Sequence, residues 1–184
     1  DWDNVGFLVG RRDREVRKVL AAMDITEDVI DEAVRWGADL IVTHHPVIFH
    51  GQKSVTDRDV TGNRVLRLLE GGLSAICMHT NLDCAEGGVN DILAQTLGVQ
   101  NPERFTNEGV GRCGWLAGPM ALPEFVRLVS RALGCNGVRY ADAGKPVHRV
   151  AVGGGACGEF EDAAIYAGCD TFVTSDLSYH QFED

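Results

Sequence analysis

Long apolar runs and paired cysteine motifs are both missing from this sequence of 184 residues. No apolar stretch approaches the roughly 20 residues that a membrane-spanning helix requires, so we expect no membrane segment. The six cysteines are scattered and form no CxxC pair, which argues against a zinc ribbon or a thioredoxin-type site. Because the sequence has no signal peptide, we expect reduced thiols and a cytoplasmic location.

Basic residues are scarce. The chain has 17 lysines and arginines against 27 acidic residues, which gives a formal net charge of −10. Such a surface repels phosphate backbones, so we do not expect general nucleic-acid binding. The hydrophobic fraction of 45% is enough to bury a core, either as one large domain or as two lobes.

Both ends of the sequence look like positions within a longer chain. The chain opens on Asp1, not on methionine, and its first residues look like an ordered loop. It closes at Asp184, within a segment that looks like the beginning of a helix. We therefore expect a single domain over 1–184 that is truncated at both ends.

Strand-like and helix-like segments alternate along the chain, which is typical of α/β architecture. Up to about residue 100, strands are predicted at 18–26, 39–45 and 73–83, and helices at 27–37, 60–72 and 87–98. Beyond it, strands are predicted at 111–120, 137–144, 148–155 and 170–176, and helices at 121–134 and 159–168. This pattern predicts a mostly parallel or mixed sheet flanked by helices, in two similar lobes of about 1–100 and 101–184. Thr26 and Gly37 are the predicted caps of the first helix.

Polar side chains follow the clearest strands at the point where each strand ends. They are Asp24, then His44 and His45, then His79 and Asp83, and finally Asp176 and His180. Ligands of parallel α/β sheets gather at the carboxyl ends of the strands, so these side chains are expected to meet. Imidazoles and carboxylates bind zinc, iron, manganese, nickel or cobalt, and the pattern therefore predicts a metal site.

The adjacent histidines need a break in the strand. Neighbouring residues of a strand point to opposite faces, so His44 and His45 can share one site only if the strand has ended, which Pro46 favours. Alternatively, each histidine serves one of two neighbouring metals, and a carboxylate such as Asp83 bridges them. Simpler interpretations remain: Asp24 caps the following helix, and Asp3 forms an Asx turn.

A glycine-rich turn offers a different interpretation. Gly153, Gly155 and Gly158 have the GxGxxG spacing of a dinucleotide-binding turn between a predicted strand and a predicted helix. Asp176 lies 18 positions further on, near the place of the acid that binds ribose. The fingerprint normally opens a Rossmann domain, however, and tight packing alone also produces such turns. Dinucleotide binding, or anion binding by the N–H groups of the turn, is retained as an alternative.

Four motifs, in order, resemble those of one protein family. They are DWDNVGFLVG at 1–10, THHPVIFHG at 43–51, MHTNLDCAEGGVND at 78–91 and TSDLSYHQFED at 174–184. The chain resembles, over nearly its whole length, the Nif-three-like dinuclear-metal family, which includes proteins called GTP cyclohydrolase 1 type 2 homologues.

The resemblance implies an α/β fold, a toroidal homohexamer and two divalent metal ions per subunit. His44 and His45 match ligands of the family, Asp83 matches its bridging ligand, and His79 lies close by. The family's other two ligands, in a GHxxxE-type motif, are expected beyond Asp184. Where the family often has Gly-Asp or Gly-Glu after the threonine, Thr174 is followed here by Ser175 and Asp176.

We consider three functions. The first is a metal-dependent hydrolase of nucleotides or phosphoesters, of which GTP cyclohydrolase chemistry is one form, with His79 as general base. In this hypothesis Asp24, Asp176 and His180 are candidate partners of the metal ligands. The second is a non-enzymatic ring that stores or delivers metal or serves as a scaffold. The third is dinucleotide binding.

Overall fold

The computed structural model describes residues 3–183, and contacts divide the chain after Leu82 into two compact units. Sequence analysis put the change of lobe at about residue 100. The second unit begins earlier because the segment that follows Asp83 packs into the second core, which includes Ala94, Leu97 and Val99. No helix of the described part of the chain is both long and apolar enough to cross a bilayer.

The first unit is a four-stranded mixed sheet with two main helices. Its elements are β1 (Gly6–Val9), β2 (Val19–Ala22), α1 (Glu27–Trp36), β3 (Leu40–Thr43), α2 (Val60–Glu70) and β4 (Ser74–Cys77). The strand order is β1-β4-β3-β2. The strands β2, β3 and β4 are parallel, while β1 is antiparallel to β4. Ile30, Ile41 and Leu68 are fully buried at the centre of this unit.

Local sequence fixes the limits of α1 as predicted. The Thr26 hydroxyl accepts a hydrogen bond from the Val29 N–H at the start of the helix. Gly37 ends it in the left-handed conformation, with φ of 69°. One short helix was not predicted: α3 (Thr80–Cys84) occupies the last part of the segment 73–83, where a continuous strand was expected. The strand prediction for 73–83 was correct for β4 and wrong beyond Cys77, where β4 ends.

The second unit is also a four-stranded mixed sheet with helices. Its elements are α4 (Val89–Thr96), β5 (Gln100–Glu103), β6 (Arg112–Met120), α5 (Leu122–Leu133), β7 (Val147–Val152), α6 (Glu161–Tyr166), β8 (Thr171–Val173) and α7 (Tyr179–Glu183). The order is β5-β6-β7-β8, and only β7 and β8 are parallel neighbours. Phe125 and Val150 lie in its core.

The α/β class with mixed sheets flanked by helices is confirmed, but three details differ. The predicted strand at 137–144 is irregular, because most of it is exposed and it ends in a turn in which Asp142 accepts the Gly144 N–H. The strands β1 and β5 were not predicted. β5 is exposed at every position, so it shows no alternation of polar and apolar residues that sequence analysis could detect.

Candidate metal centre

Three parallel strand ends of the first unit meet at one edge of the sheet. The register places Ala22 of β2 beside Thr43 of β3, and Thr43 beside Cys77 of β4. The residues that follow these three positions therefore emerge side by side, as the alternation of strands and helices predicted. They include Asp24, the histidine pair and His79.

The chain bends directly after β3. The Met78 N–H donates to the Thr43 carbonyl at 2.8 Å, and the His45 N–H donates to the Met23 carbonyl at 3.0 Å. The Thr43 hydroxyl donates to the His45 carbonyl at 2.8 Å. Because these bonds end the regular strand at Thr43, the side chains of His44 and His45 no longer alternate between opposite faces.

The three imidazoles of His44, His45 and His79 form one cluster. Each offers a nitrogen, and the three nitrogens lie within 4.8 Å of one another. The ring centroids are 5.0, 5.2 and 5.8 Å apart. Two nitrogens bound to one tetrahedral zinc ion lie about 3.3–3.4 Å apart, so nitrogens at the 4.8 Å limit would have to approach each other by about 1.5 Å to bind the same ion.

Each imidazole is oriented by a second hydrogen bond through Nδ1. The acceptors are the Met78 carbonyl at 3.0 Å for His44, Asp24 Oδ1 at 2.8 Å for His45, and Asp3 Oδ1 at 2.8 Å for His79. Carbonyl and carboxylate oxygens accept hydrogen bonds, so each Nδ1 carries the proton in these bonds, and in the neutral form of an imidazole held in this way Nε2 is the nitrogen with the electron pair. Histidine ligands of metals are commonly held in this way. The donor set therefore fits a divalent metal ion.

Asp3 is the residue of the site that sequence analysis interpreted differently, as part of an Asx turn. Its carboxylate does accept the Asn4 N–H, but it also accepts hydrogen bonds from His79 and from the Thr80 hydroxyl. Burial alone would raise the pKa of Asp3, but the hydrogen bonds from Thr80 and His79 outweigh burial and hold that pKa below its ordinary value. The sequence carried no signal for this contact, because only the antiparallel pairing of β1 with β4, seen at Gly6 and Cys77, brings the residues before β1 beside those after β4.

Asp24 is not the cap of α1, because Thr26 has that role. Its side chain is about half exposed, and its carboxylate contacts His45. A carboxylate that supports a metal-binding histidine makes the same kind of contact. The structure thus places Asp24 in the neighbourhood that the sequence suggested, and its role in metal binding stays a prediction.

Three other predicted site residues belong to the second unit. Asp83 lies in α3 with 7% of its surface exposed, and its carbonyl accepts a hydrogen bond from Asn90. Asp176 is exposed and accepts a hydrogen bond from Ser175, and His180 is exposed beside the Tyr179 ring. Their proposed roles at the metal centre remain predictions.

The glycine-rich turn after β7 is packed against its own unit. A Cβ atom on Gly153 would lie 2.7 Å from the Cβ of Cys157. The N–H groups of Gly153, Gly154 and Cys157 donate to protein oxygens at 2.8, 2.8 and 3.0 Å. A pyrophosphate would need such donors, so the structure favours the packing interpretation of these glycines over dinucleotide binding.

The six cysteines are free thiols, and three of them are buried. Cys77 is the one nearest to the histidine cluster in sequence, and its thiol donates to the His44 carbonyl at 2.9 Å. This bond supports the backbone of the cluster, and the free thiols agree with the expectation of reduced cysteines.

Comparison with known proteins shows which family the chain is similar to. The sequence model of Duf34/NIF3 (NGG1p interacting factor 3) matches residues 1–184. A Clostridium perfringens protein named GTP cyclohydrolase 1 type 2 homolog is 34% identical over 190 residues, which cover 100% of this chain and 72% of that protein.

Two solved structures have the same fold. A Bacillus cereus protein related to NIF3 superimposes with a TM-score of 0.89 at 24% identity, over 99% of this chain and 78% of that one. A Staphylococcus aureus hypothetical protein has a TM-score of 0.88 at 29% identity, over 100% and 75% of the two chains. The chain belongs to the Duf34/NIF3 family.

Proposed function

We propose that this protein is a metal-dependent hydrolase of nucleotides or phosphoesters. The observation that supports this proposal most is the cluster of three imidazoles, each held by a hydrogen bond at Nδ1. Neutral imidazole is a good ligand for zinc, iron, manganese, nickel and cobalt. A divalent ion in such a site polarises a substrate oxygen and lowers the pKa of bound water.

The number of ions depends on Asp83. Three imidazoles would suffice for one ion with an open coordination position if His79 is a ligand. The family resemblance implies a second ion, for which Asp83 is the proposed bridging ligand. Zinc titrations of the wild-type chain and of Asp83→Asn would test this: loss of one of two equivalents in the variant is expected.

His79 has two roles open to it. Its Nε2 can accept a proton from water, as a general base, or it can act as a third ligand beside His44 and His45. If His79 is the base, as we propose, His79→Ala removes turnover and leaves most of the metal bound. If it is a ligand, the variant loses metal and turnover together.

The central test compares His45→Ala with His50→Ala. His45 is in the cluster, whereas His50 is an exposed histidine outside it, so His50→Ala is the matched control. We expect His45→Ala to lower zinc or manganese content at least tenfold and to abolish hydrolysis of GTP and of bis(p-nitrophenyl) phosphate. GTP is included because of the name of the Clostridium perfringens relative. Equal metal content and turnover in both variants would refute the proposal.

Metal storage or delivery is the second candidate function. Nearly half of the His45 side chain is exposed, so a bound ion would be accessible for exchange with another protein or a chelator. Rapid transfer of zinc to a chelator, with no turnover of either substrate, would favour this function over hydrolysis.

We also propose the toroidal homohexamer that the family resemblance implies. Six chains of 19.9 kDa have a combined mass of about 119 kDa. Light scattering coupled to size-exclusion chromatography would measure this mass, and a monomer at micromolar concentration would contradict the prediction for this chain.

A further inference from the structure

We propose that Asp3 is a positioning residue of the metal centre, in that its carboxylate fixes the tautomer and the ring orientation of His79. This inference rests on the proposed function, because it supposes that Nε2 of His79 acts beside His44 and His45, either towards a metal ion or towards water. It assigns a role to Asp3 in the polar segment before β1. Asp3 lies 76 positions from His79 in sequence.

The contacts of Asp3 use both of its carboxylate oxygens. Oδ1 accepts from Nδ1 of His79 at 2.8 Å and from the Asn4 N–H at 2.8 Å. Oδ2 accepts one hydrogen bond from the Thr80 hydroxyl and another, at 3.4 Å, from the backbone N–H of Thr80. A carboxylate held at four points has little freedom to rotate, so the imidazole bonded to it is held as well.

Asn4 fixes the same segment to the other histidine-bearing loop. Its side-chain amide donates to the Ile48 carbonyl at 2.6 Å, just beyond the His44–Pro46 bend. Asp3 and Asn4 therefore connect the loop after β3 with the loop after β4. The antiparallel pairing of β1 with β4 delivers both residues to this position.

The degree of burial separates Asp3 from Asp24, the other carboxylate that contacts a histidine of the cluster. Side-chain exposure is 11% for Asp3 and 19% for His79, but 53% for Asp24 and 49% for His45. Water competes less for a buried hydrogen bond and screens it less. We therefore expect Asp3 to hold the orientation of His79 more firmly than Asp24 holds that of His45.

The experiment compares Asp3→Ala with Asp3→Asn, in which an amide oxygen can still accept from His79. Asp24→Ala is the matched control. The first readout is the ¹⁵N NMR tautomer state of His79 in the metal-free chain. We expect the Nδ1–H form in the wild type and in Asp3→Asn, mixed tautomers in Asp3→Ala, and an unchanged His79 in Asp24→Ala.

The second readout is turnover of bis(p-nitrophenyl) phosphate by the zinc-loaded chain, with zinc affinity measured in parallel by competition with a chelating dye. We expect Asp3→Ala to lower turnover 10- to 100-fold while it retains most of the bound zinc, and we expect a smaller loss of turnover for both Asp3→Asn and Asp24→Ala. Circular dichroism checks that each variant is folded. If Asp3→Ala does not fold, Thr80→Val, which removes one support of the carboxylate, is expected to give a smaller change in both readouts.

The outcomes separate this inference from the proposed function. If the folded wild-type chain binds no zinc, the proposed function fails and this inference fails with it. If the wild type binds zinc and Asp3→Ala retains the wild-type turnover, or retains the Nδ1–H form of His79, only the positioning role of Asp3 is refuted.

Discussion

At the scale of single residues, Cys157 illustrates how burial controls reactivity in this protein. The residue is 6% exposed, and its thiol donates to the Gly154 carbonyl at 3.2 Å. Burial, reinforced by the nearby charge of Asp83, raises the pKa of Cys157 to about 11. At pH 8 only about one molecule in a thousand carries the thiolate, which is the form that reacts with alkylating agents.

We predict that iodoacetamide at pH 8 labels Cys157 at least tenfold more slowly than the more accessible Cys135. The reason is that both access and thiolate formation are suppressed at Cys157. Peptide mass spectrometry after timed quenching measures both rates, and labelling in urea, where all six thiols should react, is the control. Equal rates in the folded protein would contradict the burial argument.

At the scale of elements, the loops of the second unit lack regular backbone hydrogen bonding. Two buried polar side chains of this unit form hydrogen bonds with loop backbone groups instead. Asn90 in α4 is fully buried, donates to the Asp83 carbonyl at 3.1 Å and accepts the Gly154 N–H at 2.8 Å. Arg112 of β6 is also buried and pairs with Asp91. Its guanidinium donates to the carbonyls of Cys84, Ala85, Gly109 and Gly111. The loop that follows Asp83 is thus held mainly by side chains.

We predict that Asn90→Ala lowers the free energy of unfolding by roughly 2–4 kcal/mol, because the carbonyl and the N–H that Asn90 satisfies are left buried without it. Asn136→Ala, at an exposed position of the same unit, should change stability by less than about 0.5 kcal/mol. Urea unfolding followed by circular dichroism provides both values. Equal stability of the two variants would mean that Asn90 is not needed to satisfy these groups.

At the scale of the whole molecule, stability should depend on pH at both ends of the range. The N–H of Gly87 and the nearby Arg112 hold the pKa of Asp91 below its ordinary value. Burial raises the pKa of Cys169 to about 12 and that of Cys157 to about 11. A depressed carboxyl pKa stabilises the fold above the unfolded pKa, whereas a raised thiol pKa stabilises it below the unfolded pKa.

We therefore predict the highest urea midpoint between about pH 5 and pH 8. On the acid side, the contribution of Asp91 is lost as pH falls from 3.8, its unfolded value, through its lower folded pKa. On the alkaline side, the contribution of Cys157 is lost as pH rises from 9.0 to about 11. In a plot of urea midpoint against pH, Asp91→Asn should flatten the acid limb and Cys157→Ala should flatten the alkaline limb. A variant whose profile parallels the wild type would refute the assignment of that limb.

Sequence patterns predicted most elements and the convergence of the imidazoles of His44, His45 and His79, for identifiable physical reasons. The apolar spacing of α1 and its caps are local features, so Thr26 and Gly37 were predicted correctly. The histidines at the ends of β3 and β4 were also predicted, because parallel strands align their carboxyl ends. The strand predicted at 137–144 failed because β propensity does not suffice where no face is buried.

The sequence by itself determined the alternation of strands and helices, the imidazoles at the strand ends and the membership of the family, since each depends on residue type and spacing. Tertiary structure alone decided that Asp3 contacts His79 and that residues of the second unit pack against the glycine-rich turn. The reason is that these contacts join residues far apart in the chain. They exist only because β1 pairs antiparallel with β4 and because Asn90 and Cys157 reach the turn after β7.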